Sequence, residues 1–581
     1  MPQIPPIVFG PRVGGCTEHE WLVADGLGGY ASGTVSGVRT RSQHALLTVG
    51  RHVALAALDL TLTLPSGERV PLYAHQWADG LTSPDGHLRL EAFALVDGLP
   101  RWRWRVGDVV VERELAMRHG HPSVAIVHRV LAAPVPVGLA LSAMCTWRPG
   151  GGERRATGPA LDVEHVADGV VVEGAYRIAG PGWQPGGEWH LDAYCRADAA
   201  GEDLWHAGTY FQRVNSGEIV EISGWAGDLG RRPPAAAVVI EQARERARRI
   251  AGDSVLRLAA DAFIVSGASA PEVVAGYPGD HRETMASYEG LFLATGRHEE
   301  GRRLLRAHEP AGEPDAPLWL VHAVDRHVAR TGDTDLAAEL AVPLGRMLRQ
   351  RIGDRLDPAD ELLRLDDGKP VGLNALWVNA LAALAGLLEI ARKDSAEPRA
   401  RHEKARASFR ARFPAPEGWL HDVVEGPPAT YPLGAGTTHD DPTLRPGQLL
   451  AWSLPHAPLP GDASALRAIG PALLTPLGLR TLSPHEYGYQ PATPAGREGA
   501  VRPWLIGPWA DACAAAGLPT EGLLTGLEAH LGEYGLGSVS EAAEGGPPHR
   551  AGGCPFSARS VAEVFRVQEA LPGREAGACG S

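Results

Sequence analysis

Residues 376–388 read Leu376-Trp377-Val378-Asn379-Ala380-Leu381-Ala382-Ala383-Leu384-Ala385-Gly386-Leu387-Leu388. Leu376, Trp377, Ala380, Leu381, Leu384, Leu387 and Leu388 recur every three to four residues, the period of an α-helix, and they span an arc wide enough to bury most of its surface. A second segment, Leu318, Trp319, Val321, His322, Val324 and Val328, carries the same spacing. From Ser254 onward, roughly a dozen such helical segments fit before the C-terminus. Three Gly/Pro-rich loops interrupt them, at 354–372, 414–443 and 482–502. Long loops without structure of their own commonly carry function, so a site is expected where these three are assembled.

The preceding part of the chain has a different period. Between residues 51 and 227 short β-rich runs follow one another, at 53–64, 87–96, 109–117, 123–131 and 170–178. Asp97-Gly98 and Asp168-Gly169 lie between such runs, where a tight hairpin wants residues that accept positive φ. Half-apolar strands in this number need a second sheet to cover them, which predicts an antiparallel β-sandwich. Pro233-Pro234 then opens a charged helical stretch rich in Glu and Arg. The predicted organisation is a β-sandwich domain over 1–230, a helical linker over 231–253 and a helical domain over 254–575.

Composition bounds the function. A chain of 581 residues exceeds one ordinary core, and 44% hydrophobic with 21% charged residues is the balance of a globular protein. The formal charge of −14, with no basic stripe against it, disfavours a nucleic-acid partner and allows a neutral substrate. Six widely spaced cysteines, Cys16, Cys145, Cys195, Cys513, Cys554 and Cys579, read as reduced thiols. Neither the start of the chain nor any later run predicts a signal peptide or a membrane span, so a cytoplasmic enzyme is the expectation. The Gly-rich run 26–33 lacks the Lys-Ser/Thr of a phosphate loop, and no His-Glu-x-x-His string occurs, so neither nucleotide nor catalytic zinc is expected.

Several stretches carry strings more specific than composition or period. The opening carries Glu20-Trp21-Leu22-Val23, Gly26-Leu27-Gly28-Gly29-Tyr30, Thr40-Arg41 and His44. Later come Ala275-Gly276-Tyr277-Pro278, Gly368-Lys369-Pro370-Val371 with Asn374-Ala375-Leu376-Trp377, Leu444-Arg445-Pro446, Pro503-Trp504-Leu505-Ile506-Gly507-Pro508, and Pro547-Pro548-His549-Arg550. Together these strings resemble the glycogen debranching enzyme (amylo-α-1,6-glucosidase) family, and they run in family order along nearly the whole chain. The resemblance implies a six-hairpin (α/α)6 barrel of the glucoamylase type after the β-sandwich. It implies inverting hydrolysis of α-1,6-linked glucose in glycogen-like α-glucans, without metal or organic cofactor.

Inverting hydrolysis needs one protonated carboxyl to assist the leaving oxygen and one carboxylate to activate water. The resemblance puts the general base at Glu541, with Glu544 as the fallback; without it, Glu541 reads more readily as a surface or N-cap Glu on a Gly-rich loop. Arg282-Glu283 falls where the family has an Arg-Asp clamp on the terminal glucose. Upstream of Gly368 the family's Thr-Trp-Met-Asp segment is replaced by Glu361-Leu362-Leu363-Arg364-Leu365-Asp366-Asp367. Asp367 and Asp366 are then the candidate acids, or turn residues before a glycine. Gly372 stands where the family often has Glu, and Glu498-Gly499-Ala500-Val501 replaces its His-Gln-Gly-Thr-Val-Trp string. Tyr277, Lys369, Trp504, His549 and Arg550 complete the expected sugar contacts, while Trp377 reads as core. Two alternatives stay open: a member that binds glucans without hydrolysing them, and a glucosidase for another small α-glucoside.

Overall fold

In the first half of the molecule the strand-like runs pair into two antiparallel sheets. The computed structural model describes residues 5–10, 13–278, 285–310, 312–427, 439–492, 496 and 498–571. The chain divides into two compact units, 1–267 with 531–538 and 268–530 with 539–581. The larger sheet of the first unit runs in the order Ile7–Phe9, Leu90–Val96, Leu99–Val106, Val109–Met117, Ser123–Ala132, Ile219–Ala226, Tyr176–Ala179, Gly169–Val172, Val163–Val166. The smaller runs Trp183–Cys195, Ala200–Val214, Val137–Pro149, His52–Thr63, Leu47–Val49, with Arg69–Pro71 against His52–Thr63. Phe93, Trp102, Val111, Ile126 and Ile222 from the first sheet share one buried cluster with Leu55, Leu60, Leu139, Leu141 and Tyr210 from the second. Each sheet thus hides the apolar face of the other, which makes the unit a sandwich.

The turns show where pattern reading holds and where it slips. Asp97 and Gly98 take φ of 52° and 75° and join Leu90–Val96 to Leu99–Val106 as a two-residue hairpin. At the other pair the turn is Ala167-Asp168, and Gly169 already lies in a strand. Its glycine is needed for close approach, since a Cβ there would sit 1.9 Å from the Ile178 carbonyl oxygen. The run 170–178 is accordingly two strands, turned over at Glu173-Gly174 with φ of 53° and 57°. The stretch read as a linker forms helix Ala236–Ala251 inside the first unit. Its Ala236, Val239 and Ile240 belong to the sandwich core, so apolar burial ties it to that unit despite its charged outer face.

In the second unit the helices alternate between an inner and an outer position. Among the described residues the inner ones are the single π-turn Glu289–Leu293, then Ala316–Thr331, Val371–Ile390, Leu450–Ser453, Ile506–Ala515 and Ala558–Ala570. Each packs on the next and the last packs on the first, closing a ring. His298–Ala307, Thr334–Ile352, Ala396–Arg412 and Ala463–Leu473 pack against that ring from the helices they connect. Val371–Ile390 is apolar on nearly all sides because it is flanked by inner and outer neighbours at once. It is also long and apolar enough to cross a membrane, but 78% of its most apolar 18-residue stretch is buried. A core helix surrounded by packing partners meets both descriptions.

Candidate active site

The segments that precede four of the inner helices are linked at one end of the ring. Lys369-Pro370 leads into Val371–Ile390, Arg445 into the turn Pro446–Leu449, Arg502 into Pro503–Leu505, and Cys554 to Ser557 into Ala558–Ala570. Short strands tie these segments together. Leu474–Thr475, Gly478–Arg480, Val501–Arg502, Ala542–Ala543 and Ala551–Gly552 form one small sheet in that order, and Lys369–Pro370, Val423–Gly426 and His439–Asp441 form another.

Glu541 stands at the head of Ala542–Ala543 and keeps 48% of its side chain exposed. Its Oε1 accepts from Arg502 Nη1 at 2.8 Å and its Oε2 from the Cys554 N–H at 3.1 Å. Gly553, at φ 69°, leaves room for this carboxylate, since a Cβ there would lie 2.9 Å from Oε2. Glu544 is held through its backbone, which donates to the Arg550 carbonyl at 2.8 Å and lies 3.0 Å from His549 Nδ1 through its own carbonyl oxygen. His549 is therefore engaged with a backbone carbonyl, and Arg550 is exposed.

The remaining expected residues scatter in role. Asp366 and Asp367 are the exposed tip of a tight turn whose ends, Leu365 and Gly368, exchange backbone hydrogen bonds of 2.8 and 3.2 Å. Lys369 does not reach toward a substrate: 1% exposed, it places Nζ 2.8 Å from Asp357, 2.7 Å from Asp360 and 3.0 Å from Glu425. An ammonium has three donors, and three carboxylates take them. Tyr277 is 2% exposed and pairs with Phe556 between two short strands, so its ring is core. Trp504 offers its face to Arg559, whose Cζ lies 3.5 Å from the ring centroid. Trp377 is buried, with its Nε1–H donating to the Glu361 carbonyl at 2.9 Å, and Trp452 and Trp509 are buried too. Arg282 and Glu283 lie outside the described residues.

A carboxyl that sequence reading passed over is Asp422. Its carbonyl accepts from the Val371 N–H at 2.8 Å, which fixes it beside the start of Val371–Ile390. Burial drives its carboxyl up to about 6, against the pull of Arg445, and the nearby charges of Asp441, Asp367 and Glu498 push the same way. Arg445 Nε is 3.6 Å from Asp422 Oδ2, while its Nη2 donates to Glu498 at 2.9 Å and its Nη1 to the Thr481 carbonyl at 3.2 Å. The only signal in the sequence was position, within the 414–443 loop already marked as functional.

The inner helices also line a partly open cavity of about 300 Å³ with charged side chains, among them Glu289, His322, Arg326, Glu563 and Arg566. Glu289 accepts from His322 at 3.1 Å and from Arg326 at 3.2 Å. Burial would raise its carboxyl, but His322, Arg566 and Arg326 outweigh that and bring it down to about 2. Glu563, paired with Arg566 at 2.7 Å, is raised by burial instead.

Comparison with known proteins agrees with this architecture. A bacterial glucoamylase complexed with acarbose has a TM-score of 0.61 at 11% identity, over 97% of this chain and 97% of its own. Looser likenesses are a mannosylglycerate hydrolase from Thermus thermophilus in complex with Tris and D-glycerate, at TM-score 0.42, 14% identity and 54% and 100% coverage, and a rhamnosidase from Klebsiella oxytoca with rhamnose bound, at 0.43, 12%, 92% and 98%. No curated protein matches the chain. Two family models do: glycogen debranching enzyme N terminal over residues 19–221 and amylo-alpha-1,6-glucosidase over residues 363–566. The molecule is a glycoside hydrolase of glucoamylase-like, six-hairpin architecture, preceded in sequence by an antiparallel β domain. The two matches together take in more than half of its length, and the chain belongs to the glycogen debranching enzyme family.

Proposed function

We propose that the protein hydrolyses α-1,6-linked glucose from glycogen-like α-glucans with inversion, using Asp422 as general acid and Glu541 as general base. The observation that carries this reading is Asp422, a partly buried carboxyl held at about 6 at the loop end of the helical ring. A group at that value is protonated in a useful fraction near neutrality and can donate to a leaving glycosidic oxygen. Glu541, solvent-exposed and held by Arg502 and the Cys554 N–H, would take a proton from the attacking water; its exposure supports that role. Asp366 and Asp367 then shape the rim, and the charge of Asp367 helps keep Asp422 protonated. Arg282 and Glu283 retain the role of glucose clamp, and a cytoplasmic location goes with a storage-glucan substrate.

The test is glucose release from a branched limit dextrin by wild type, Glu541→Gln and Asp422→Asn. Loss of about a hundredfold or more in each variant, with glycogen still bound, supports the assignment. Wild-type binding without release would favour a glucan-holding protein, and release from small α-glucosides alone would move the substrate. Undiminished release by Asp422→Asn would return the acid's role to the Asp366-Asp367 turn.

A further inference from the structure

We propose that Glu188, His190 and His206, on the outer strands of the smaller sheet of the β domain, form a zinc-type divalent-cation site. Trp183–Cys195 is the outermost strand in the order of that sheet and Ala200–Val214 is its neighbour. Glu188 and His190 are two apart on one strand and so face the same side, and His206 is the residue directly opposite Glu188 on the next. The ligand-capable atoms of all three lie within 4.8 Å of one another. His206 Nδ1 is 3.2 Å and His190 Nε2 3.8 Å from the same oxygen, Glu188 Oε1. Around a tetrahedral zinc with bonds near 2.0–2.1 Å, neighbouring ligand atoms stand about 3.3 Å apart, so one pair already has the spacing and small side-chain rotations supply the rest.

The surroundings hold this geometry. The ladder slips between Pro185 and Glu188 and again between His190 and Ala193, so bulges bracket the three-residue segment. Bulges of that kind re-aim side chains at sheet edges. On the opposite face Trp189 packs edge-on against Trp205, with centroids 5.1 Å apart, which keys the two strands in this register. His206 Nε2 lies 3.1 Å from Thr209 Oγ1. If that nitrogen carries the proton, Nδ1 presents its lone pair toward Glu188, the outer-shell arrangement that orients a metal-bound imidazole. Two imidazoles and one carboxylate suit zinc and its late-transition neighbours; calcium and magnesium prefer oxygen ligands alone. A fourth position faces solvent, since Glu188 is 69% exposed.

The test uses the full chain, free of any histidine tag and stripped with a chelator, titrated with zinc chloride alone by calorimetry. One equivalent per chain is expected, with an X-ray absorption edge showing two imidazoles and oxygen. His206→Ala and Glu188→Gln should each weaken binding by tenfold or more, and Thr209→Val by about tenfold through the lost orienting contact. Glu188→Gln changes an exposed side chain and keeps the readout independent of any folding defect in His206→Ala. Absence of zinc binding, or affinity unchanged in Glu188→Gln and His206→Ala, overturns the proposal. So does magnesium competing at equal concentration. None of these outcomes depends on the glucan reading, because binding is measured without substrate.

Discussion

At the scale of the residue, the proposed acid Asp422 carries a cost in stability. Its folded-state carboxyl lies at about 6 against a usual 3.8, so between these values the native protein keeps a proton that the unfolded chain has lost. Stability from this group is full below about pH 4, declines as pH rises, and is down by about 3 kcal/mol above pH 6. Asp422→Asn should therefore unfold like wild type at pH 4 and resist denaturant better by up to about 3 kcal/mol at pH 8, while losing glucose release. Urea titrations at the two pH values check the first half, and equal gaps at both would show that burial does not perturb this carboxyl. For the active enzyme the acid must be protonated, so kcat/KM should fall about tenfold per unit above pH 6. Asp422 escaped sequence reading because its property comes first from burial, which only the folded packing creates, with Asp441, Asp367 and Glu498 adding to it and Arg445 opposing it. Glu541 is proposed from the string around it, which resembles the family pattern, whereas Lys369 lies in an equally good string and is spent on Asp357, Asp360 and Glu425.

Elements were more legible than residues because their signal is local. The strand Val109–Met117 has the very bounds of the β-rich run read in the sequence, and Val371–Ile390 extends the quoted helix by about a turn at its start. What local pattern cannot encode is proximity. Gly169 looked like a turn glycine yet serves close strand approach, and helix Ala236–Ala251 looked like a spacer yet buries its apolar side in the sandwich. Gly507, within Ile506–Ala515, is a third instance. In an ordinary exposed helix, Gly→Ala gains up to about 1 kcal/mol. Here a Cβ would stand 1.7 Å from Glu563 Oε2 and 2.8 Å from Arg566 Nη2. Gly507→Ala must displace a buried ion pair, and the expected sign is reversed: a loss of roughly 2–3 kcal/mol, read as a lower midpoint in thermal unfolding. A midpoint unchanged or raised would mean that Glu563 can swing away freely.

At the scale of the molecule, the helical unit closes its ring around charge instead of a dry core. Glu289, His322 and Arg326 come from the first two inner positions and Glu563 and Arg566 from the last, so the network spans the point where the chain's ends of the ring meet. Such a network stabilises only while its charges are matched, because removing one partner leaves a partly buried ion uncompensated. Glu289 is the member whose balance shows most clearly: its carboxyl is brought from 4.5 to about 2 by His322, Arg566 and Arg326. A depressed carboxyl contributes above the unfolded value and loses that contribution as pH falls through the folded one. The amount is about 3 kcal/mol, present above roughly pH 4.5 and gone near pH 2. Glu289→Gln should accordingly be less stable than wild type at pH 6, with the gap narrowing by about 3 kcal/mol toward pH 2. Guanidinium-induced unfolding of both proteins at several pH values measures that gap directly. A difference that stays constant from pH 6 to pH 2 would show that the ring closes without help from Glu289's charge.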